Sequence, residues 1–371
     1  MGFVCLRKRA ERAIKMVDQF GRIIDYARVS ITSNCNLRCI YCISEEDEII
    51  SNKTSYKKPV SAPASSDDPL SFEHLMQVCN AFASLGISKI KITGGEPLLR
   101  KDIAEIIRYI KSIEGIEKVT LTTNGLLLSK LLEVLSPKDL DGINISIDSL
   151  EAGSYKTITR NDSMNAPLNG LESALNKGFP NIKINCVVVE GLNDHEIENI
   201  AGLAQDKNIA VRFIELMPIS SAKQYKFVSQ EQIATQLEAR YGKLMAYPGN
   251  HGNGPAVYYK LPGFCGKIGF ISAVSHKFCA NCNRVRLTAS GRLKTCLHFR
   301  NGIDLRPLLE RNISKEELMQ HIESTLLKKP LGHTFYSSSD ASSNSGANSN
   351  KTNSNKEEHE EEYSIMSHIG G

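Results

Sequence analysis

The sequence has no apolar run long enough to cross a membrane, and its basic first 20 residues lack the apolar core of a secretion signal. We therefore predict a cytoplasmic protein that contacts no membrane; the alternative is that the basic start is an organellar transit segment. The net charge of +4 is too small to indicate a nucleic-acid partner, although it suits a small anion. The chain also lacks a convincing Ser–His or Cys–His arrangement for nucleophilic catalysis.

What the sequence does have is a regular alternation of short apolar runs with helical patterns. Helices are predicted after Ser71, a good N-cap, and from Pro97, which suits a first helical turn. Six runs rich in β-branched residues are predicted strands: 27–32, 89–93, 118–123, 142–148, 182–190 and 210–217. Strand alternating with helix predicts an α/β fold with a parallel sheet. Six such units favour an incomplete TIM-type (βα)6 barrel, with ligands at the carboxyl ends of the strands.

The pattern changes near residue 228, where a helix, a predicted hairpin and a last helix indicate a smaller C-terminal α+β module. Two stretches are too polar to bury a core and are predicted to be disordered. The predicted segments are an N-terminal extension (1–15), a partial barrel (16–227) with a polar insert (44–69), the C-terminal module (228–335), a disordered linker (336–362) and a tail (363–371).

Three cysteines with CxxxCxxC spacing follow the first predicted strand. This first triad consists of Cys35, Cys39 and Cys42. Structural zinc usually has four protein ligands, and a four-iron cluster uses one thiolate per iron, so three cysteines leave one iron open to a cofactor or substrate. The alternatives are three buried loop cysteines or a zinc site completed from far away. The spacing and its place after a barrel strand favour the open cluster.

A second set of three cysteines lies in the C-terminal module. This second triad consists of Cys279, Cys282 and Cys296. His276 and His298 stand beside it and either one completes a zinc site, so zinc would be favoured if this triad stood alone. Beside a first open cluster, a second three-cysteine cluster is at least as well supported. The other cysteines show no such spacing and are predicted packing residues: Cys5, Cys79, Cys186 and Cys265.

Several cations and glycines fall where the predicted ligand face lies. Arg284 and Arg286 alternate on a predicted strand, so both guanidinium groups can reach one anion. The turn "TGGEP" at 93–97 has two glycines that allow the backbone to approach a ligand closely. With Arg28, Lys91 and Lys183, these cations suit a polyphosphate, although any one of them alone is more often a surface charge.

These motifs together carry a family resemblance. CxxxCxxC followed by GGEP in a βα pattern resembles the radical S-adenosylmethionine superfamily. The second triad, the Arg-x-Arg after its second cysteine, "RFIELM" and the terminal double glycine resemble the GTP 3′,8-cyclase family of that superfamily, which acts first in molybdenum cofactor biosynthesis. The resemblance runs from about Met16 to Cys296 and returns in the last helix and in "MSHIGG".

The resemblance implies a [4Fe-4S] cluster on each triad and S-adenosylmethionine on the open iron of the first. The residues implied to line S-adenosylmethionine are Tyr41, Gly95, Ser146 and Met217. Those implied to contact GTP are Arg28, Lys91, Thr122, Lys183, Arg284, Val285 and Arg286. The terminal Gly370 and Gly371 are implied to reach the active site, and no side chain is implied to act as acid or base. Lys91 stands where the family usually has Arg.

The implied reaction is a radical cyclisation. A 5′-deoxyadenosyl radical takes hydrogen from the ribose 3′-carbon of GTP, and the substrate radical attacks carbon 8 of guanine, giving 3′,8-cyclo-7,8-dihydroguanosine triphosphate. The resemblance also implies a ferredoxin- or flavodoxin-type electron donor, a monomeric or homodimeric enzyme, and cyclic pyranopterin monophosphate synthase as the next enzyme.

Two alternatives remain at this point. One is a peptide-maturing radical enzyme with an auxiliary cluster, although such enzymes usually carry longer and cysteine-richer C-terminal modules. The other is a zinc-dependent nucleic-acid-binding protein. Iron content distinguishes a zinc-dependent protein from a radical enzyme. The substrate that supports deoxyadenosine formation distinguishes a peptide-maturing enzyme from a GTP 3′,8-cyclase.

Overall fold

The computed structural model describes residues 15–42, 68–249, 252–333 and 335. Most of the predicted extension, most of the polar insert, the linker and the tail with Gly370 and Gly371 lie outside these residues. Within them, no helix is both long and apolar enough to cross a membrane.

All six predicted barrel strands are present. They are β1 (Tyr26–Ser30), β2 (Lys89–Thr93), β3 (Lys118–Thr123), β4 (Gly142–Ser146), β5 (Lys183–Val188) and β6 (Ala210–Glu215). Each pairs in parallel with the next along the chain. Most of their residues are buried, as expected for a parallel sheet covered on both faces.

Strands from the C-terminal part of the chain extend both edges of this sheet. They are β7 (Met245–Ala246), β8 (Val257–Lys260), β9 (Lys267–Ile271), β10 (Arg284–Leu287), β11 (Arg292–Lys294) and β12 (Gly302–Asp304). β9 pairs in parallel with β6, and β10 pairs in parallel with β1, so eight adjacent strands are parallel. Antiparallel strands flank them, in the order β12-β11-β10-β1-β2-β3-β4-β5-β6-β9-β8-β7. Within the described residues the sheet does not close, which confirms the open TIM-type barrel.

Nine α-helices cover the outside of the described sheet. They are α1 (Phe72–Ser84), α2 (Ile103–Ser112), α3 (Leu128–Leu131), α4 (Ala152–Thr159), α5 (Asn165–Asn176), α6 (Ile197–Gly202), α7 (Gln230–Tyr241), α8 (Arg306–Glu310) and α9 (Lys315–Leu327). The predicted N-cap of α1 is confirmed, because the Ser71 side chain accepts a hydrogen bond from the His74 amide at 3.2 Å.

The prediction of one continuous helix from Pro97 is wrong. A 3-10 turn covers Pro97–Leu99, and α2 begins only at Ile103. Between them Arg100 is extended, and its guanidinium donates to the carbonyls of Ile31 and Leu70, both at 2.9 Å. These contacts to distant segments interrupt the helical pattern.

The hydrophobic core lies between the helices and the outer face of the sheet. Phe82, Ile92, Ile107 and Ile145 are all fully buried there. Burying a large apolar side chain contributes about 1.5–3 kcal/mol, so this layer supplies much of the folding free energy. Because side chains alternate along a strand, the other half of the strand positions faces the barrel interior, where polar residues collect.

Candidate active site

A cavity of about 350 Å³ lies inside the barrel, and most of the predicted site residues line it. Both cysteine triads contribute to its wall. Its other predicted lining residues are Arg28, Tyr41, Lys91, Gly95, Thr122, Ser146, Met217, Arg284 and Arg286. The structure therefore brings together residues from both halves of the chain.

Two described residues among the predictions lie elsewhere. Lys183 lines an adjoining cavity of about 510 Å³, which shares Lys91 and Arg212 with the first. The Val285 side chain is fully buried in the hydrophobic core, so only its backbone can face the barrel interior.

The two triads lie at opposite ends of the parallel strands. The first triad follows the carboxyl end of β1, whereas Cys282 comes two residues before the amino end of β10. β1 and β10 are parallel neighbours with Tyr26 opposite Arg284, so these two ends are the two ends of the barrel. β11 runs antiparallel to β10 and returns the chain to Cys296 beside Cys282. The cavity thus extends between the triads.

Backbone contacts hold the loop of the first triad. The amides of Arg38 and Ile40 donate to the carbonyls of Thr159 and Ile158 at the end of α4, both at 3.0 Å. The Leu37 amide donates to the Cys35 sulfur at 3.4 Å. Burial raises the pKa of the Cys35 thiol, and this amide partly offsets the effect because an amide aimed at sulfur stabilises a thiolate.

The GGEP turn packs directly against this loop. The Gly95 amide donates to Thr32 at 2.7 Å, and a side-chain carbon added at Gly95 would stand 2.4 Å from the Asn34 carbonyl oxygen. The glycine is therefore required by the approach of the turn to the cluster loop. Glu96 anchors the same turn, because its carboxylate accepts hydrogen bonds from the Thr123 hydroxyl and the Asn124 amide, both at 2.7 Å.

Asp148 belongs to this end of the site and was missed by the sequence reasoning. Its carboxylate accepts the Tyr41 hydroxyl at 2.5 Å and the Val187 amide at 2.8 Å. Burial raises the pKa of Asp148 to about 6 and the pKa of Glu96 to about 7. Burial, with Asp148 next, also raises the pKa of the Cys39 thiol well above its usual value. No sequence spacing links these residues, so only the fold reveals the pair.

Three cations stand side by side across neighbouring strands. Arg28 on β1 is paired in register with Arg286 on β10 and with Lys91 on β2, so all three side chains point to one face of the sheet. We call these residues the cation row. Burial, followed by repulsion from the neighbouring cations, lowers the pKa of Lys91 and that of Arg286 well below their usual values.

Further cations complete the basic interior. Arg212 on β6 is only 6% exposed, and its guanidinium donates to the Asn185 side-chain oxygen at 2.9 Å. Burial, and then Arg212, lowers the pKa of Lys183 to about 7. Arg212 was missed because "AVRFIE" reads as an ordinary strand, although its inward-facing alternation was available as a signal. Buried cations that repel one another are suited to a polyanion.

In the second triad, burial raises the pKa of the Cys279 thiol, but Cys282 has a thiolate-stabilising environment. Cys279 lies in a 3-10 turn, and the Cys282 amide donates to its carbonyl at 3.1 Å. Burial would raise the pKa of Cys282, but Arg284 and Lys329 lower it to about 6. Metal-bound cysteine is a thiolate, so this chemistry fits a metal centre.

The sulfur atoms of each triad lie farther apart than the ligands of a closed zinc site. Zinc–sulfur bonds of about 2.3 Å place thiolates about 3.8 Å apart. Within the described chain, we find one set of three His, Cys, Asp or Glu residues whose ligand atoms all lie within 4.8 Å of one another, and it consists of Glu151, His195 and Glu196. The three sulfur atoms of each triad therefore do not all lie within that distance. His276 is exposed and faces Ser275 and Glu231, whereas His298 does line the cavity. The spacing leaves room at each triad for a group larger than a single zinc ion.

The packing predictions for the remaining cysteines are confirmed in part. Cys79 and Cys186 are buried, as predicted. Cys265 is exposed, so its predicted packing role is wrong, and Cys5 lies outside the described residues.

Two family models match the chain in tandem. The radical SAM superfamily model matches residues 29–204, and the Molybdenum Cofactor Synthesis C model matches residues 209–335. A solved structure of Streptococcus suis SuiB bound to S-adenosylmethionine is similar in fold, with a TM-score of 0.52 and 12% identity. That match covers 84% of this chain and 66% of SuiB, and at this identity it shows the fold alone.

Curated relatives match over nearly their whole length. The GTP 3′,8-cyclase of Petrotoga mobilis is 39% identical over 324 residues, which is 87% of this chain and 96% of the relative. Those of Clostridium perfringens and Alkaliphilus oremlandii are each 40% identical, over 86% and 89% of this chain and 95% and 98% of the relatives. The chain therefore belongs to the GTP 3′,8-cyclase family of the radical S-adenosylmethionine superfamily.

Proposed function

We propose that the chain converts GTP to 3′,8-cyclo-7,8-dihydroguanosine triphosphate, the first step of molybdenum cofactor biosynthesis. One observation carries the proposal. A single cavity has a three-cysteine set at each end and the cation row between them. Two open iron sites facing one anionic nucleotide from opposite ends are what this reaction needs.

The first triad would hold a [4Fe-4S] cluster whose open iron binds S-adenosylmethionine. When bound and reduced, this pair supplies a 5′-deoxyadenosyl radical. Tyr41, Gly95, Ser146 and Met217 line this end of the cavity and would contact the cofactor. Asp148 fixes the orientation of Tyr41 through their hydrogen bond.

The cations would bind the triphosphate. The cation row faces the cavity, and Lys183 and Arg212 extend the basic surface into the adjoining cavity. Lys91 offers a point charge in place of the two-pronged guanidinium usual in the family, so it binds phosphate with less geometric specificity.

The second triad would hold a second [4Fe-4S] cluster, with the guanine base against its open iron. Arg284 lines the cavity there, the Thr122 hydroxyl lies farther along the wall, and Val285 would contribute its backbone. The terminal Gly370 and Gly371 would close the site from outside the described residues. The main work of the chain is to hold GTP in one orientation and exclude water from a radical.

Anaerobic reconstitution tests the proposal. We expect about eight irons per chain, one four-iron cluster on each triad. With S-adenosylmethionine and a reductant, deoxyadenosine should form when GTP is present and not when ATP replaces it. Replacing Cys282 with Ala should lower the iron to about four per chain and abolish the cyclised product.

Two outcomes would contradict the proposal. Zinc without iron would support a zinc-binding protein. Deoxyadenosine formed only with an added peptide, and never with GTP, would support a peptide-maturing enzyme. The electron donor, the oligomeric state, the cytoplasmic location and the later enzyme remain predictions of the family resemblance.

A further inference from the structure

A buried ammonium group stands beside the second triad, and the proposed function gives it no role. Lys329 is only 2% exposed and lines the same cavity. Its Nζ donates to the carbonyl of Arg284 at 2.8 Å and to the carbonyl of Thr295. Arg284 lies two residues after Cys282, and Thr295 immediately precedes Cys296, so the ammonium group bridges the two segments that carry these cysteines.

A second buried cation fixes the segment that carries Lys329. The Arg22 guanidinium donates to the carbonyls of Pro330 at 2.8 Å and Leu331 at 3.1 Å. It also donates to the carbonyl of Cys279, the remaining member of the triad, at 2.9 Å. Asp18 neutralises Arg22 at 2.6 Å. Lys329 therefore contacts the segments of Cys282 and Cys296 directly, and Arg22 connects the segment that carries Lys329 to Cys279.

The charge of Lys329 has no acidic partner. In the part of the chain that the structure describes, its Nζ donates to carbonyl oxygens, and no carboxylate lies within ion-pair distance. Burial lowers the pKa of Lys329, and Arg22 and Arg284 lower it further, whereas Cys282 and Cys296 as thiolates act in the opposite direction. A buried ammonium group without a counter-ion tends to lose its proton, so the charged form at this position calls for an anion at the triad.

We propose that Lys329 is the counter-charge of the cluster on the second triad, where it stabilises the bound cluster and raises its reduction potential. Three thiolates give an oxidised four-iron cluster a net negative charge, and reduction adds another. A fixed cation in a low-dielectric site stabilises the more negative state more strongly. The inference rests on the proposed function only for the presence of this cluster.

The first triad has different charged neighbours. They are the buried carboxylates Glu96 and Asp148, together with Arg38. Lys329 is not among them, so the first cluster can be removed without changing the surroundings of Lys329.

The test separates the charge of Lys329 from its hydrogen bonds. Lys329→Gln keeps a donor without charge, and Lys329→Arg keeps the charge. Lys260→Gln is the matched control, because Lys260 also donates to two carbonyls, those of Phe264 at 3.3 Å and Cys265 at 2.6 Å, away from both triads. All are made in the full chain with Cys39→Ala, so that only the second cluster loads, and titrated anaerobically by electron paramagnetic resonance.

We expect Lys329→Gln to lower the reduction equilibrium constant of the second cluster about tenfold, which is about 59 mV for one electron. Lys329→Arg and Lys260→Gln should stay within about twofold of the parent. Equal potentials in the parent and Lys329→Gln would overturn the inference. If Lys329→Gln folds but loads no cluster, Lys329→Arg must restore the iron, and its failure to do so would also overturn the inference. A parent without iron at the second triad would instead refute the second cluster of the proposed function.

Discussion

Binding of a triphosphate should bring a proton onto Lys183. Burial and the nearby Arg212 lower the pKa of Lys183 to about 7, so at pH 8 only about a tenth of the free protein carries this proton. A bound polyanion favours the charged form. If binding restores the usual value of about 10.4, Lys183 takes up about 0.9 proton at pH 8 and about 0.1 proton at pH 6.

Triphosphate binding should weaken as the pH rises, because Lys183 must take up a proton. Between pH of about 7 and the pKa of the bound state, each unit of pH should weaken triphosphate binding by up to about tenfold through Lys183. The folded-state pKa of Lys183 lies below its unfolded value, so between about 7 and 10 the unfolded chain binds more protons. In the ligand-free protein, Lys183 therefore makes stability rise with pH across that window.

The assay is titration calorimetry with inorganic triphosphate at pH 8, in two buffers with different ionisation enthalpies. The difference in heat counts the protons, and inorganic triphosphate supplies no reactive ribose. Lys91 adds to the total because its pKa is also lowered, so the comparison is with Lys183→Arg, whose charge persists. We expect that variant to take up about 0.9 proton fewer. Equal proton uptake by the two proteins would show that Lys183 does not bind the proton.

Three further predictions concern the first end of the site. Cys39→Ala should remove about four irons and all deoxyadenosine formation, whereas Cys79→Ala should keep the iron count of the parent. Equal losses of iron in the two variants would contradict the assignment of a cluster to the first triad. Gly95→Ala should lower the affinity for S-adenosylmethionine at least about tenfold, because the loop of the first triad must move. The control is Gly153→Ala, where an added carbon meets nothing within 4 Å, and it should not change the affinity. Unchanged binding in both variants would show that the turn tolerates a side chain. Asp148→Ala should lower the free energy of unfolding of the metal-free chain, measured with urea, by about 1–3 kcal/mol. The reason is that the Val187 amide and the Tyr41 hydroxyl lose their hydrogen-bond acceptor. A change below about 0.5 kcal/mol would contradict the role of Asp148 as that acceptor.

The barrel strands could be predicted because their signal is local. Runs such as "KIKIT" and "KVTLTT" carry β-branched residues between clear helices, and both strands were predicted at their observed bounds. The pairing of β10 with β1 could not be predicted in this way. "RVRL" was predicted as a strand, but nothing in it indicates a parallel partner, and that partner lies some 250 residues earlier, so only tertiary packing reveals the pairing.

The candidate site divides in the same way. The triads could be predicted because metal ligands have characteristic spacings. Asp148 and Lys329 could not, because their roles depend on partners far along the chain, whereas Arg212 was missed although the alternation along its strand was available as a signal. The break at Arg100 has the same cause, since its guanidinium binds carbonyls 30 and 69 residues away.

A label transfer tests the proposed hydrogen abstraction from GTP. The reconstituted full chain is incubated with S-adenosylmethionine, reductant and GTP carrying deuterium at the ribose 3′-carbon. If the radical takes hydrogen from this carbon, the 5′-deoxyadenosine recovered contains that deuterium. Deoxyadenosine formed in the presence of this GTP without any deuterium would contradict that abstraction.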